Sequence, residues 1–292
     1  MAFPEKGLPC PYCLTRLDRA GDCPHCGRTL PAGYGKHPVR MIPVVGAAGA
    51  GKRTWLSLML ERVRIIAGEM GLMITGVDAG VLGFLEAHPV KEGLPLEWAE
   101  NREDREPLCL HIRIPQENRE ETLVFYIMEL YNLLDSQSAE RWLEQADGLV
   151  ILLEPGEPNR AWHPVNRILG LVGGNPCPVA VCLTKGDTWE EGEDAEAFLR
   201  HREPLLGEVL ECRTERHAMF PLTCLGGGVT EFTGPDGIVR RYPAGPVEPK
   251  GIEAPLLWLF RQFGYELDQE PTPQKPGFFR RFLQKLGNID PT

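Results

Sequence analysis

Two groups of residues in this chain have the types and spacing to do chemistry. The first is "GAAGAGK", where Gly46, Gly49, Gly51 and Lys52 come close to the phosphate-loop template of Gly, four residues, Gly, Lys, then Ser or Thr. Arg53 stands where the hydroxyl belongs, and Thr54 arrives one residue late, about 100° further round a helix. A glycine-rich turn before a helix points backbone N–H groups at one spot, and a lysine adds a full charge there, so the chemistry is anion binding. The second group is "CPYCLTRLDRAGDCPHC", which sets Cys10 with Cys13 and Cys23 with Cys26, two CxxC pairs nine residues apart. Each pair makes a turn that aims two thiolates at one point, and two such turns close a tetrahedron round zinc. Four sulfur ligands leave no open position for water or substrate, so the site is expected to be structural, and so short a segment needs its metal to fold. Gly27 suits the tight backbone after the second pair, and His25 is expected at the surface.

With 292 residues and an ordinary apolar share, the chain has room for one large domain and a small appendage. A formal net charge of −10 argues against general affinity for nucleic acid, whose footprint is a basic surface. The longest apolar run, "GLVILLEP" from Gly148, is too short for a membrane span, and Pro4 and Pro9 interrupt the stretch where a signal peptide needs apolar residues. The expected location is cytoplasmic, where cysteines favour metal ligation over disulfides. Cys109, Cys177, Cys182, Cys212 and Cys224 share no spacing and are expected as core filler.

The elements that must position the loop alternate strand and helix. "VRMIPVV" runs into the loop as a strand, and Leu56, Met59, Leu60 and Val63 recur at helical spacing after it, with Gly68 as the expected stop. Further strands are expected at 123–128, 148–154, 178–184 and 218–224, separated by helices from 138, 162, 195 and 254. Short apolar strands alternating with amphipathic helices predict an α/β fold, a doubly wound and mostly parallel sheet covered on both faces, with the loop at its carboxyl edge where ligands bind. The expected organisation is a zinc ribbon and linker over 1–36, the sheet domain over 37–265, and a Pro-rich linker with a short basic amphipathic helix over 266–292. "LPAGYGKHP" over 30–38 reads as the linker that ends the ribbon.

Two more strand ends bear on the ligand. "TKGD" places Thr184, Lys185 and Asp187 after the 178–184 strand. A carboxylate in the plane of a purine accepts from both N1 and the exocyclic amine of guanine, whereas adenine offers no such pair, so Asp187 would select GTP or GDP, with Lys185 packing on the base. One strand later, "PLTCLGG" puts Cys224 and Leu225 where a backbone amide could meet the guanine O6. In these motifs and this strand order the chain resembles the Ras-like, translation-factor-type P-loop GTPases. The particular likeness is to bacterial small GTPase domains with an N-terminal zinc ribbon, of the kind placed in the "double-GTPase" families of conflict systems. The resemblance covers roughly residues 10 to 265 and implies guanine nucleotide binding by a switch-like domain.

In that family hydrolysis needs magnesium, held with help from three places, and this sequence departs from the pattern at each. Arg53 replaces the hydroxyl after the loop lysine. Ile127 falls where the aspartate of the family's DxxG turn is expected, Leu130 where its glycine is, and Glu129, two residues on, has no glycine at the needed distance. Between Gly76 and Glu121 there is no Ser or Thr to serve as the switch hydroxyl; "EWAENREDRE" reads as a solvated loop, and Glu103 and Asp104 are set aside as substitute ligands. All three losses bear on one function while base and phosphate contacts survive. The reading is a hydrolysis-deficient, guanine-nucleotide-binding regulator or adaptor with no catalytic residue assigned and magnesium doubtful. Arg53 either lays its guanidinium near the phosphates or faces solvent. The alternatives are an active GTPase with unusual metal ligands and a structural scaffold module with an empty nucleotide pocket. Protein partners are expected through the ribbon and through "FFRRFLQKL" (278–286), whose apolar residues share one helical face; packing back on the chain's own domain is the alternative for that segment, and a membrane surface the lesser one.

Overall fold

The structure is a computed structural model of the chain and describes residues 8–18, 21–96, 106–129, 137–154, 162–172, 177–186 and 203–267. The chain begins with a ribbon whose strands β1 (Leu8–Pro9) and β2 (Arg16–Leu17) pair antiparallel. Then β3 (Val39–Gly46) leads through the glycine loop into α1 (Lys52–Ile66), which continues as a 3-10 turn to Met70. Next come β4 (Met73–Val77), α2 (Ala79–Ala87), β5 (Leu108–Ile114) and β6 (Arg119–Glu129). The remainder alternates: α3 (Gln137–Glu144), β7 (Leu149–Leu153), α4 (Trp162–Val172), β8 (Val179–Leu183), α5 (Pro204–Arg213) and β9 (His217–Pro221). A hairpin of β10 (Val229–Thr233) and β11 (Val239–Pro243) precedes α6 (Ala254–Gln262).

Seven strands form the central sheet in the order β4-β5-β6-β3-β7-β8-β9. From β6 to β9 every pairing is parallel, whereas β4 and β5 run antiparallel at one end. The parallel strands read as continuous apolar runs because both of their faces are covered: all five residues of β7 and all five of β8 are buried. Side chains alternate between the faces. Ile42, Val44, Phe125, Ile127, Val150 and Leu152 pack with α1 and α6, while Val45, Ile151, Leu153, Val179 and Val181 pack with α3, α4 and α5. β3 has β6 on one side and β7 on the other, so the connections leave it in opposite directions, and the loop after β3 sits at that switch point.

The ribbon does not stand apart. Leu8, Leu14, Leu17, Leu30 and Tyr34 form one core with Met41, Val124 and Tyr126 of the sheet, Cys109 of β5 and Trp142 of α3. Leu30 and Tyr34 of the 30–38 stretch are buried in this core, and the Tyr34 hydroxyl donates to Pro9 O at 2.7 Å. Four elements go beyond the sequence expectation: β4, α2, β5 and the β10–β11 hairpin. The helix stop also differs, since Gly71, left-handed at φ 73, caps the turn after α1 in place of Gly68. The expected helix from 195 is described only as α5, and residues 268–292, with the expected tail helix, lie outside the described residues. Cys109, Cys177 and Cys182 are buried as expected of core filler, whereas Cys224 is half-buried and Cys212 is exposed on α5.

α1 is fastened to the sheet by Trp55, which is wholly buried and donates its indole N–H to Ile252 O at 3.0 Å, just ahead of α6. Truncating it removes a large apolar body and a satisfied donor together. Trp55→Ala is expected to lower the unfolding free energy by about 3–5 kcal/mol in urea denaturation.

Candidate phosphate-binding site and metal centre

The glycine loop is shaped by close approach. A Cβ on Gly46 would stand 2.8 Å from Leu152 O and 3.3 Å from the Ala50 Cβ, so only glycine lets the end of β3 lie this near β7. Gly49 and Gly51 take φ of 81° and 83°, the left-handed region, and Ala50 N donates to Ala47 O at 3.2 Å, which curls the loop over the start of α1. Gly51 caps α1 with no side-chain bond from the described residues, an arrangement in which first-turn amides serve an anion. Arg53 and Thr54 are both half-exposed on that first turn.

Lys52 turns back beneath the loop. Its ammonium donates to Gly46 O at 2.9 Å and Ala47 O at 2.8 Å, and stands 2.6 Å from Glu129 Oε1, with only 3% of the side chain exposed. The partner corrects the sequence reading of the β6 end. Register pairs Ile127 with Val44 and Glu129 with Gly46, so Ile127 lies in the core and the carboxylate at the mouth of the loop is Glu129. With Leu130 standing where the glycine is expected, the DxxG spacing does not fix the strand register.

The second expected group comes to the same edge. Thr184 continues from β8, its amide and its hydroxyl both donating to Leu153 O, at 2.8 and 3.1 Å. Lys185 takes φ 58°, and Gly186 N donates to Leu222 O at 2.9 Å; a Cβ on Gly186 would lie 2.8 Å from the Thr223 hydroxyl. The link between the two groups is Glu154, which follows β7: one carboxylate oxygen pairs with Lys185, and the other lies 3.9 Å from where a Cβ on Gly49 would be. Sequence reasoning missed Glu154, although an acidic residue closing the "LVILLE" run was a visible signal. Cys224 and Leu225 follow β9 on the same edge, half-buried against the core, and Leu225 O accepts from Glu248 N at 3.0 Å. Asp187, Leu130, Tyr131, Glu103 and Asp104 lie outside the described residues.

The ribbon brings Cys10, Cys13, Cys23 and Cys26 together, all four sulfurs within 4.8 Å of one another. Two matching turns do this. Cys10 N donates to Thr15 O and Leu14 N to Cys10 O; Cys23 N donates to Arg28 O and Gly27 N to Cys23 O. Gly27 is left-handed at φ 70°, and so is Leu14 at φ 61°, a cost offset by burying its side chain in the ribbon core. Sulfurs held about 2.3 Å from a zinc ion in a tetrahedron stand about 3.8 Å apart. Cys10 to Cys26 is 3.8 Å and Cys13 to Cys23 is 3.6 Å, far beyond a disulfide bond, so the donor set fits a tetrahedral thiophilic metal. Burial pushes the Cys10 thiol up; burial acts on Cys23 in the same direction, but the amides of Cys26 and His25 and the neighbouring thiols outweigh it and bring Cys23 down to about 7. His25 is exposed.

Strand order, loop and lysine give a doubly wound, mostly parallel α/β fold with a phosphate-loop turn, behind a four-cysteine ribbon. No family model and no curated protein matches the chain. Among the solved structures that match is translation elongation factor SelB from Methanococcus maripaludis in complex with the GTP analogue GppNHp, at 14% identity and a TM-score of 0.34. The match covers 64% of this chain and spans 30% of that one. No described helix is long and apolar enough to cross a membrane.

Protein purified without added metal is expected to contain one zinc ion per chain by elemental analysis. Cys13→Ser with Cys26→Ser should lose it and loosen the Tyr34 packing, and a metal-free chain with an intact ribbon would exclude the assignment.

Proposed function

We propose that this chain is a guanine-nucleotide-binding regulatory or adaptor protein of the small-GTPase type that does not hydrolyse its nucleotide. The observation that carries the reading is the convergence, through Glu154, of the 46–52 loop and the Thr184–Gly186 turn on one edge of the sheet. The two groups lie on β3 and β8, two strand spacings or about 10 Å apart, a span that a nucleotide covers from phosphate to base. Loop amides and Lys52 serve the phosphates, Lys185 packs on the base, and Asp187 accepts from the guanine edge, with GTP or GDP as ligand. The absence of hydrolysis is supported by Arg53 in the hydroxyl position and by the lack of any Ser or Thr between Gly76 and Glu121. Zinc in the ribbon is structural, and the ribbon and the 278–286 segment contact protein partners; the location is cytoplasmic.

A second reading, an active GTPase that uses Glu129 as a metal ligand, is favoured by one observation: Glu129 ends β6 directly opposite Gly46.

In calorimetric titrations GTP is expected to bind more tightly than ATP with little dependence on magnesium, and Asp187→Asn to erase the preference by replacing an acceptor with a donor. Phosphate release should stay undetectable. Magnesium-dependent release that Lys52→Ala abolishes would replace the first reading with the second, and an unchanged GTP to ATP ratio in the Asp187 variant would remove the base assignment.

A further inference from the structure

An ammonium group has three N–H donors and no acceptor. At Lys52 its acceptors include Gly46 O, Ala47 O and Glu129 Oε1, at 2.9, 2.8 and 2.6 Å. The first two are backbone atoms of the loop, and Gly46 is held by register to both Leu152 and Glu129, so its carbonyl cannot leave without unpairing the central strands. The third is a side chain at the last residue of β6, 28% exposed, on a stem with three rotatable bonds. Of the three, only Glu129 can be exchanged.

We propose that Glu129 is a gate on the phosphate site, an internal anion that holds Lys52 until a ligand phosphate displaces it. This rests on the reading of the loop as a phosphate site. The exchange is anion for anion, so Lys52, nearly sealed from water, keeps a counter-charge throughout; a buried charge that loses its paired anion is strongly destabilising. The gate lowers apparent affinity by the fraction of chains in which Glu129 has let go, so weak anions fail to open it and a polyphosphate with several charges succeeds.

The full-length zinc-bound chain, its Glu129→Gln and Glu129→Asp variants, and Lys52→Ala combined with Glu129→Gln are titrated with inorganic tripolyphosphate and with GTP, in EDTA concentrations too low to strip the ribbon and again with magnesium. Glu129→Gln is expected to bind both ligands at least tenfold more tightly without magnesium, Glu129→Asp to return toward the parent, and the double variant to lose the gain. Without ligand, Glu129→Gln should unfold at a lower temperature than the parent and recover with tripolyphosphate, because the anion restores the missing partner of Lys52. Equal or weaker metal-free binding by Glu129→Gln overturns the gate, and so does a loss of affinity seen only with magnesium, which makes Glu129 a metal ligand. Tighter tripolyphosphate binding with no preference of GTP over ATP keeps the gate and removes the guanine-nucleotide reading.

Discussion

A single buried ammonium sets the terms for this structure. A lysine head with 3% exposure is tolerable only when it is fully bonded, and that requirement reaches outward. β3 must stop at Gly46 so that two successive carbonyls turn inward. Gly46 must lack a side chain because β7 passes within contact distance, and β6 must end in register so that a carboxylate arrives from the other side. The strand neighbours of β3 thus serve one atom, Lys52 Nζ, and the loop is held open over it by left-handed glycines. A sheet that did not change direction at β3 would bring no second strand end to the same place.

A different kind of bond ties the far side of the sheet. Glu121 is wholly buried near the start of β6, bonded by Arg40 Nε at 3.1 Å, by Arg119 and by the Tyr265 hydroxyl beyond α6. Arg40 also reaches Asp147, which in turn accepts from Met41 N. One ion cluster therefore spans β3, β6, the entry to β7 and the chain after α6. It clamps the amino ends of the strands whose carboxyl ends carry the loop, so the two edges of the sheet are fixed by charge at one and charge plus backbone geometry at the other.

The parts of this arrangement that were legible in the sequence are those written locally. A continuous apolar run, a glycine turn and a helical period announce β3, the loop and α1 without reference to anything distant, and two CxxC pairs announce a sulfur cluster in the same way. β7 and β8 were equally plain because both faces of each are covered. β5 was hidden although "LCLHIRI" alternates, since His111 and Arg113 dilute the apolar signal and the segment lay within a stretch read as a switch loop. β4 and the β10–β11 hairpin have little burial to imprint on composition: β10 is exposed at every residue, with Phe232 60% accessible. Glu129 was visible as a residue and misplaced as a neighbour, because which residue of one strand faces which residue of another is decided by the whole sheet. The burial of Tyr34 was not legible, since glycines and prolines shape a turn under a buried ring as readily as a loose one.

The order in which this chain leaves the ribosome gives the ribbon an unusual start. Its four thiolates are complete once Cys26 has emerged, and they can close on a metal at once. The surface the ribbon then presents finds its cover only as Met41, Cys109, Val124, Tyr126 and finally Trp142 appear, more than a hundred residues later for the last of them. During synthesis, which proceeds at about 5–20 residues per second, the metal-closed ribbon carries an uncovered apolar face for several seconds. Until then the ribbon is a sticky piece of the nascent chain. Its fate in that interval depends on what else is nearby, be it a nascent-chain chaperone or the ribbon of the next chain on the same message.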